Sequence, residues 1–265
     1  VLRPTKRYWR IYSTFWTSSL RRELEYRANF FAKIANNVVW IAFFVLVLLV
    51  IYGRTESVAG WSRSESLILG ATVFVQGAVA AAFFFSLQEI PQQVRLGTLD
   101  FVIVKPVDSQ FWVSSRRFLF DQIGTILAGI AMLVVGVVQQ GAAIGADQWA
   151  AYFILSLSGL LLLYAFNLAL MTTGIWFVRV DNLWVLVESV QSVARYPMDI
   201  YSAGVQRVFT FILPLAFFAT IPTRQLLGPP DWNMVGLGVV WAASSMIGAR
   251  LFWRFALKHY ASASS

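Results

Sequence analysis

Glu188, Gln191, Ser192 and Arg195 stand at i, i+3, i+4 and i+7 within the apolar run "LWVLVESVQSVARY" at 183–196. On a helix that spacing gathers them into one polar stripe. An acid or an arginine at a helix centre in lipid costs about 2.5–3.5 kcal/mol on insertion scales, so such a stripe must meet water, a partner or a transport pathway. Two readings fit the spacing: a stripe lining a cavity between two halves of a transporter, or a surface helix whose charges lie among the headgroups. Glu188 is also the one acid placed to couple transport to an ion or a proton. Asp121, four residues after Arg117 near the end of an apolar run, reads as a snorkelling ion pair in preference to a proton relay.

Other chemistry is scarce. The chain has no Cys, and its one His, His259, lies near the end. That removes disulfides, thiolate nucleophiles and the usual structural zinc sites. The 13 Asp and Glu fall mostly outside the apolar runs, which argues against an intramembrane enzyme. None of the four Lys (6, 33, 105 and 258) follows a Gly, so no G-x-x-x-x-G-K-[ST] phosphate loop exists. No cofactor and no metal are expected on this chain.

The elements that must position these groups are membrane spans. Of 265 residues, 58% are hydrophobic and only 13% charged, against about 25% in a soluble domain. Mean hydropathy is +0.65. Apolar runs near the ~20 residues a helix needs to cross a bilayer fall at 34–52, 67–87, 118–138, 150–177 and 232–253. A fifth crossing lies at 183–200 with a re-entrant hairpin at 205–222 after it, or at 205–221 with 183–196 lying in the interface. The first arrangement is favoured, because irregular backbone at membrane depth needs protein or a cavity around it. The expectation is an all-α polytopic protein of six transmembrane helices, with an N-terminal amphipathic helix at 13–32 and a re-entrant hairpin between spans five and six. The domains are then 1–33 (N-terminal interfacial segment), 34–253 (membrane domain) and 254–265 (tail). Gln76 and Asn167 read equally well as interhelical hydrogen-bonding groups or as substrate contacts, and Ser244-x-x-x-Gly248 as a helix-packing pattern.

The formal net charge of +8 serves orientation rather than nucleic-acid binding. Eight Lys/Arg precede the first span, and Arg95, Lys105, Arg116 and Arg117 lie between spans two and three. By the positive-inside rule both termini and the 88–117 segment face the cytoplasm of a cell (inner or plasma) membrane. The first thirty residues do not read as a cleavable signal peptide.

That segment is more than a linker. Ser86-x-x-Glu89 has the spacing of a capping box, Gly97 stands where a short helix over 88–96 would stop, and Asp108 is placed to cap the helix leading into span three. The run "RLGTLDFVIVKPVD" at 95–108 resembles the pattern that follows the second span in type-2 ATP-binding-cassette (ABC) exporter permeases. The stretch "RYPMDIYSAGVQRVFTFILPLAFFATIPTRQLLG" at 195–228 is similar to that family's Pro-containing re-entrant region. Two departures are the "SSRR" at 114–117, in place of a Gly-Lys pair, and Asp100 where Glu is commoner.

The resemblance implies a permease subunit with two copies of an ABC ATPase as partners, ATP and Mg being held there, and a second permease subunit, identical or paralogous. Glu89, Pro91, Arg95, Gly97, Thr98, Leu99, Asp100, Lys105 and Pro106 then form the surface that couples the membrane domain to the ATPase. The rival reading is an ion- or proton-coupled secondary transporter using Glu188.

Overall fold

A computed structural model describes residues 4–141, 143–177, 196–212 and 215–260, together with positions 185, 189 and 193. The described chain is helical, with one isolated bridge between Val58 and Trp61 and no strand among the described residues. Among the described residues, five stretches are long and apolar enough to cross a bilayer: Arg27–Tyr52, Arg63–Arg95, Gln122–Gln140, Ala146–Ile175 and Trp232–Lys258.

Helix α1 (Pro4–Glu25) breaks at Tyr26, which leaves helical geometry at φ −111°, ψ 63°, and α2 (Arg27–Tyr52) follows. The N-terminal helix thus starts and ends earlier than the apolar periodicity predicted. Of α2, only Ile41 is buried in this chain.

Helix α3 (Arg63–Phe84) opens on a capping box, in which Glu65 accepts from the Ser62 N–H at 2.8 Å and Ser62 Oγ accepts from the Glu65 N–H at 3.4 Å. A 3-10 turn (Phe85–Glu89) and α4 (Ile90–Arg95) prolong it to 33 residues. At 1.5 Å per residue that is about 50 Å, well beyond what a ~30 Å hydrocarbon core requires.

The third span begins later than expected, at Gln122 in α7 (Gln122–Gln140). The backbone just before it is satisfied elsewhere: the Phe118 N–H donates to Ser19 Oγ at 3.2 Å and the Leu119 N–H to the Ala82 carbonyl at 3.2 Å. Phe118 and Phe120 are buried against Trp16, Phe30 and Ala82, which holds those residues out of the helix.

Helix α8 (Ala146–Thr172) and α11 (Trp232–Lys258) complete the long elements. Among the described residues, the shorter α-helices α9 (Ala203–Arg207) and α10 (Thr220–Leu227) stand between them. Small residues set the close approaches. A Cβ on Gly129 or Gly136 of α7 would meet Val75 or Ile68 of α3 at 2.7 Å, and one on Gly159 of α8 would meet the Phe217 carbonyl oxygen at 2.2 Å.

At the end of the bundle holding Trp61, the indole N–H of Trp61 donates to Asp199 at 2.8 Å, and Asp199 pairs with Arg224. The Met198 N–H donates to Thr220 Oγ1 at 3.4 Å, so residues 198 and 220 meet at one end.

Several local expectations are corrected. Asn167 donates to the Leu163 carbonyl of its own helix at 2.9 Å, because that oxygen lies one turn back on the same face. Gln76, 3% exposed, has neither amide atom hydrogen-bonded. Gly248 has open space around it and Ser244 is exposed, so their face of α11 is not packed among the described residues.

Candidate functional site

Past α4 the chain folds back through two short helices, α5 (Asp100–Ile103) and α6 (Ser109–Ser115). Gly97 ends α4 as predicted, at φ +67°, a conformation that disfavours residues with a Cβ. The Leu99 N–H and Thr98 Oγ1 then reach back to the Gln93 carbonyl at 3.2 and 3.4 Å. Pro91 is tolerated because it stands in the first turn of α4, and it packs against Gly174, where a Cβ would lie 2.9 Å away.

The loop is pinned from inside and bare outside. Ile90, Val94, Leu99 and Val102 are buried in a core shared with Leu168, Met171 and Trp253. On the other side Leu96, Phe101 and Val104 are 61%, 67% and 77% exposed. Arg95, Thr98 and Pro106 are exposed beside them, and Asp100 is half-buried at the start of α5. The Lys105 ammonium lies 3.7 Å from the centre of the Trp112 ring, a cation–π contact.

Two ion-pair clusters hold this loop to the bundle. In the first, Glu89 accepts from Arg116 at 3.0 Å and from Arg117 at 3.2 Å. Ser86 does not cap a helix. Its hydroxyl accepts from the Arg117 N–H at 2.7 Å and donates to the Arg117 carbonyl at 3.1 Å. The Ser86–Glu89 spacing, expected to close a capping box, therefore binds the 116–117 turn instead. With Arg117 engaged by Glu89, the Arg117–Asp121 pair expected from the sequence is absent. Asp121 is buried, with one oxygen accepting from Gln122 at 2.8 Å and the other unpartnered.

In the second cluster, Asp108 caps α6, accepting from the Phe111 N–H at 2.9 Å. That helix is a separate element rather than the start of span three. Both carboxylate oxygens of Asp108 also accept from Arg250 of α11, one of them at 2.9 Å, while Arg250 donates to Gln110 Oε1 at 2.8 Å. The Arg250 hydrogen bonds hold the Asp108 carboxyl below the usual carboxylate range, against the opposing effect of burial. Gln110 and Ser114 meet the Tyr164 hydroxyl of α8 at 3.0 and 2.7 Å. Trp253 is fully buried and donates to Ser109 Oγ at 3.1 Å.

Helix α1 lies against the same loop. Tyr8 meets Phe111 edge-on at 5.0 Å, Phe15 meets Trp112 at 4.9 Å, and Trp16 stacks on Phe118 at 4.5 Å. The Tyr8 hydroxyl accepts from the Asp108 N–H at 3.1 Å. The loop is thus joined to α1, α3, α8 and α11 at once, an arrangement suited to passing a push on its outer face into the spans.

The sequence reading missed Arg250, Tyr8, Tyr164 and the Trp253–Ser109 bond. Only Arg250 left a signal, since an arginine inside an apolar run has to find a counter-charge. Glu188, Gln191, Ser192 and Arg195 lie outside the described residues. Among the described residues no group of three or more metal-ligating side chains lies together.

Residues 38–264 match the family described as ABC-2 family transporter protein. No curated protein and no solved structure matches the chain.

Proposed function

The chain belongs to the ABC-2 transporter family and is a multi-pass membrane transport permease; from that premise we propose that it is the membrane half of an ATP-driven exporter. In this reading ATP is hydrolysed on a separate ABC ATPase, two copies of which serve two permease subunits, identical or paralogous. The absence of a phosphate-binding Gly-Lys loop from the sequence supports this division of labour.

One observation carries the proposal. The loop between the second and third spans presents Leu96, Phe101 and Val104 to solvent while Leu99 and Val102 fix it to the core. An apolar face on a rigid mount fits docking of a soluble partner. Movement of that partner on ATP binding would rock the spans and alternately open a pathway between the two permeases. The open small-residue face of α11 at Ser244 and Gly248 supports close approach by a second permease.

The chain has six crossings in this proposal, with both ends in the cytoplasm of the cell (inner or plasma) membrane. The fifth of them is the span at 183–200, most of which lies outside the described residues, and 205–222 follows it as a re-entrant hairpin on the outer side. The Asp199–Arg224 and Met198–Thr220 contacts support that hairpin.

Reconstitution with the cognate ATPase tests the proposal. Transport into vesicles should require ATP, and Asp100→Ala should lower transport-coupled hydrolysis while the permease still inserts. Transport without ATP, or coupling unchanged in that variant, would sink it.

A further inference from the structure

A partly open cleft of about 410 Å³ lies between α1, the end of α3 and α6. Its walls are of two kinds. Trp16, Phe83, Phe118 and Tyr164 supply aromatic surface, and Ser115 and Arg117 supply polar groups. Tyr164 lies within the α8 span, about 12 Å from its end at Thr172, while Ser115 and Arg117 belong to the loop that follows α3, so the cleft joins the apolar bundle to its polar end.

Two donors of the cleft-wall residues lack acceptors. The indole N–H of Trp16 and the Nε–H of Arg117 are buried and make no hydrogen bond. Buried donors without partners are rare in native structures and call for a missing acceptor. The charge balance points the same way. Glu89 is the one carboxylate bridging Arg116 and Arg117, and the carboxylate of Asp108, which also lines the cleft, is already held by Arg250. Arg22 adds a third guanidinium, whose charge is opposed first by burial and then by repulsion from Arg117, and favoured by the nearby Glu89 and Glu23 carboxylates.

We propose that this cleft binds an anionic phospholipid from the surrounding leaflet, its phosphate meeting Arg117 and Trp16 and its acyl chains lying on the aromatic wall. A free anion would use the guanidinium but leave the aromatic wall uncovered. A zwitterionic lipid would cover the wall but bring no net charge to the arginine cluster. The bound lipid joins α1 to α6, and so ties the N-terminal helix to the loop held by Asp108 and Arg250. The inference rests on the membrane placement of the permease and not on its ATPase partner, so it is tested on the permease alone.

The experiment is thermal unfolding of the purified chain in neutral detergent, with phosphatidylglycerol, phosphatidylcholine or inorganic phosphate added. Phosphatidylglycerol should raise the melting temperature by about 5 °C, as saturating ligand does for a domain of this size. Phosphatidylcholine should give under half of that, and inorganic phosphate none. Trp16→Phe keeps the stack on Phe118 but removes the donor, and Ser115→Trp fills the cleft; each should abolish most of the shift. Arg254→Gln, an exposed cation outside the cleft, should keep it. If Ser115→Trp does not fold, Trp16→Phe decides alone. Equal shifts with the two lipids, a shift with inorganic phosphate alone, or a full shift in Trp16→Phe would overturn the proposal.

Discussion

Arg250, on the last helix, grips both carboxylate oxygens of Asp108, the residue that caps α6 in the loop between the second and third spans. Parts of the chain 142 residues apart are joined there by a bidentate guanidinium–carboxylate pair. Such pairs fix direction as well as distance. The loop cannot tilt without either moving α11 or breaking this fork.

Removing the carboxylate should loosen the loop. Both side chains are about one-third exposed, so solvent screening reduces what the pair contributes. Asp108→Ala, which also loses the cap on α6, should cost about 1–2 kcal/mol, read as a melting-temperature drop of about 3–6 °C. Asp108→Asn keeps an acceptor for the Phe111 N–H and should cost about half as much. Equal losses in the two variants would mean that the charge pair dominates and the cap contributes little.

The same pair sets an acid limit. The native Asp108 carboxyl lies below its ordinary value, about 3.9 for an unfolded chain. Its stabilisation is therefore fully present above that ordinary value and is lost as pH falls through the native one. The melting-temperature difference between wild type and Asp108→Asn should be constant from about pH 5 to 8 and shrink below about pH 4. A difference that changes between pH 6 and 8 would assign the effect to another group.

Gly97 makes a backbone prediction free of packing. Nothing lies within 4 Å of a Cβ there, yet φ is +67°. Gly97→Ala should cost about 1–2 kcal/mol from the left-handed conformation alone, and Gly97→Asn distinctly less. Since Gly97 sets where Leu96 and Phe101 point, both variants should reduce coupling to ATP hydrolysis, Ala more than Asn.

Gly159 and Gly77 form a contrasting pair. A Cβ on Gly159 meets backbone at Phe217, 2.2 Å away, which cannot swing aside, while one on Gly77 meets nothing. Gly159→Ala should destabilise by about 1–3 kcal/mol or more, whereas Gly77→Ala should be neutral or stabilising by up to about 1 kcal/mol. Thermal melts of the two variants side by side separate close packing from helix propensity.

What was legible in the sequence was local. The five long spans stand out as apolar runs, and Gly97 as a helix stop needs only its own neighbours. The Ser86–Glu89 spacing misled because a capping box competes with any other donor, and the Arg117 N–H, 31 residues on, takes the hydroxyl instead. The boundary of the third span moved because Ser19 and Ala82 accept the backbone N–H groups at 118 and 119. The outward face of the loop was invisible for the same reason. Leu99 and Leu96 are the same residue type three positions apart, and only the tertiary fold buries one and bares the other.

The central claim is that the face formed by Leu96, Phe101 and Val104 receives the ATPase. It is tested most directly by purifying the tagged chain from its native membrane, as wild type and as Phe101→Asp/Val104→Asp. Both positions are exposed, so the substitutions should change intrinsic stability by no more than about 0.5 kcal/mol each. The account predicts that wild type brings down a P-loop ATPase in stoichiometric amount, and that the double variant melts as wild type does but loses the partner. Equal recovery of the ATPase by both, or none with wild type, would contradict it.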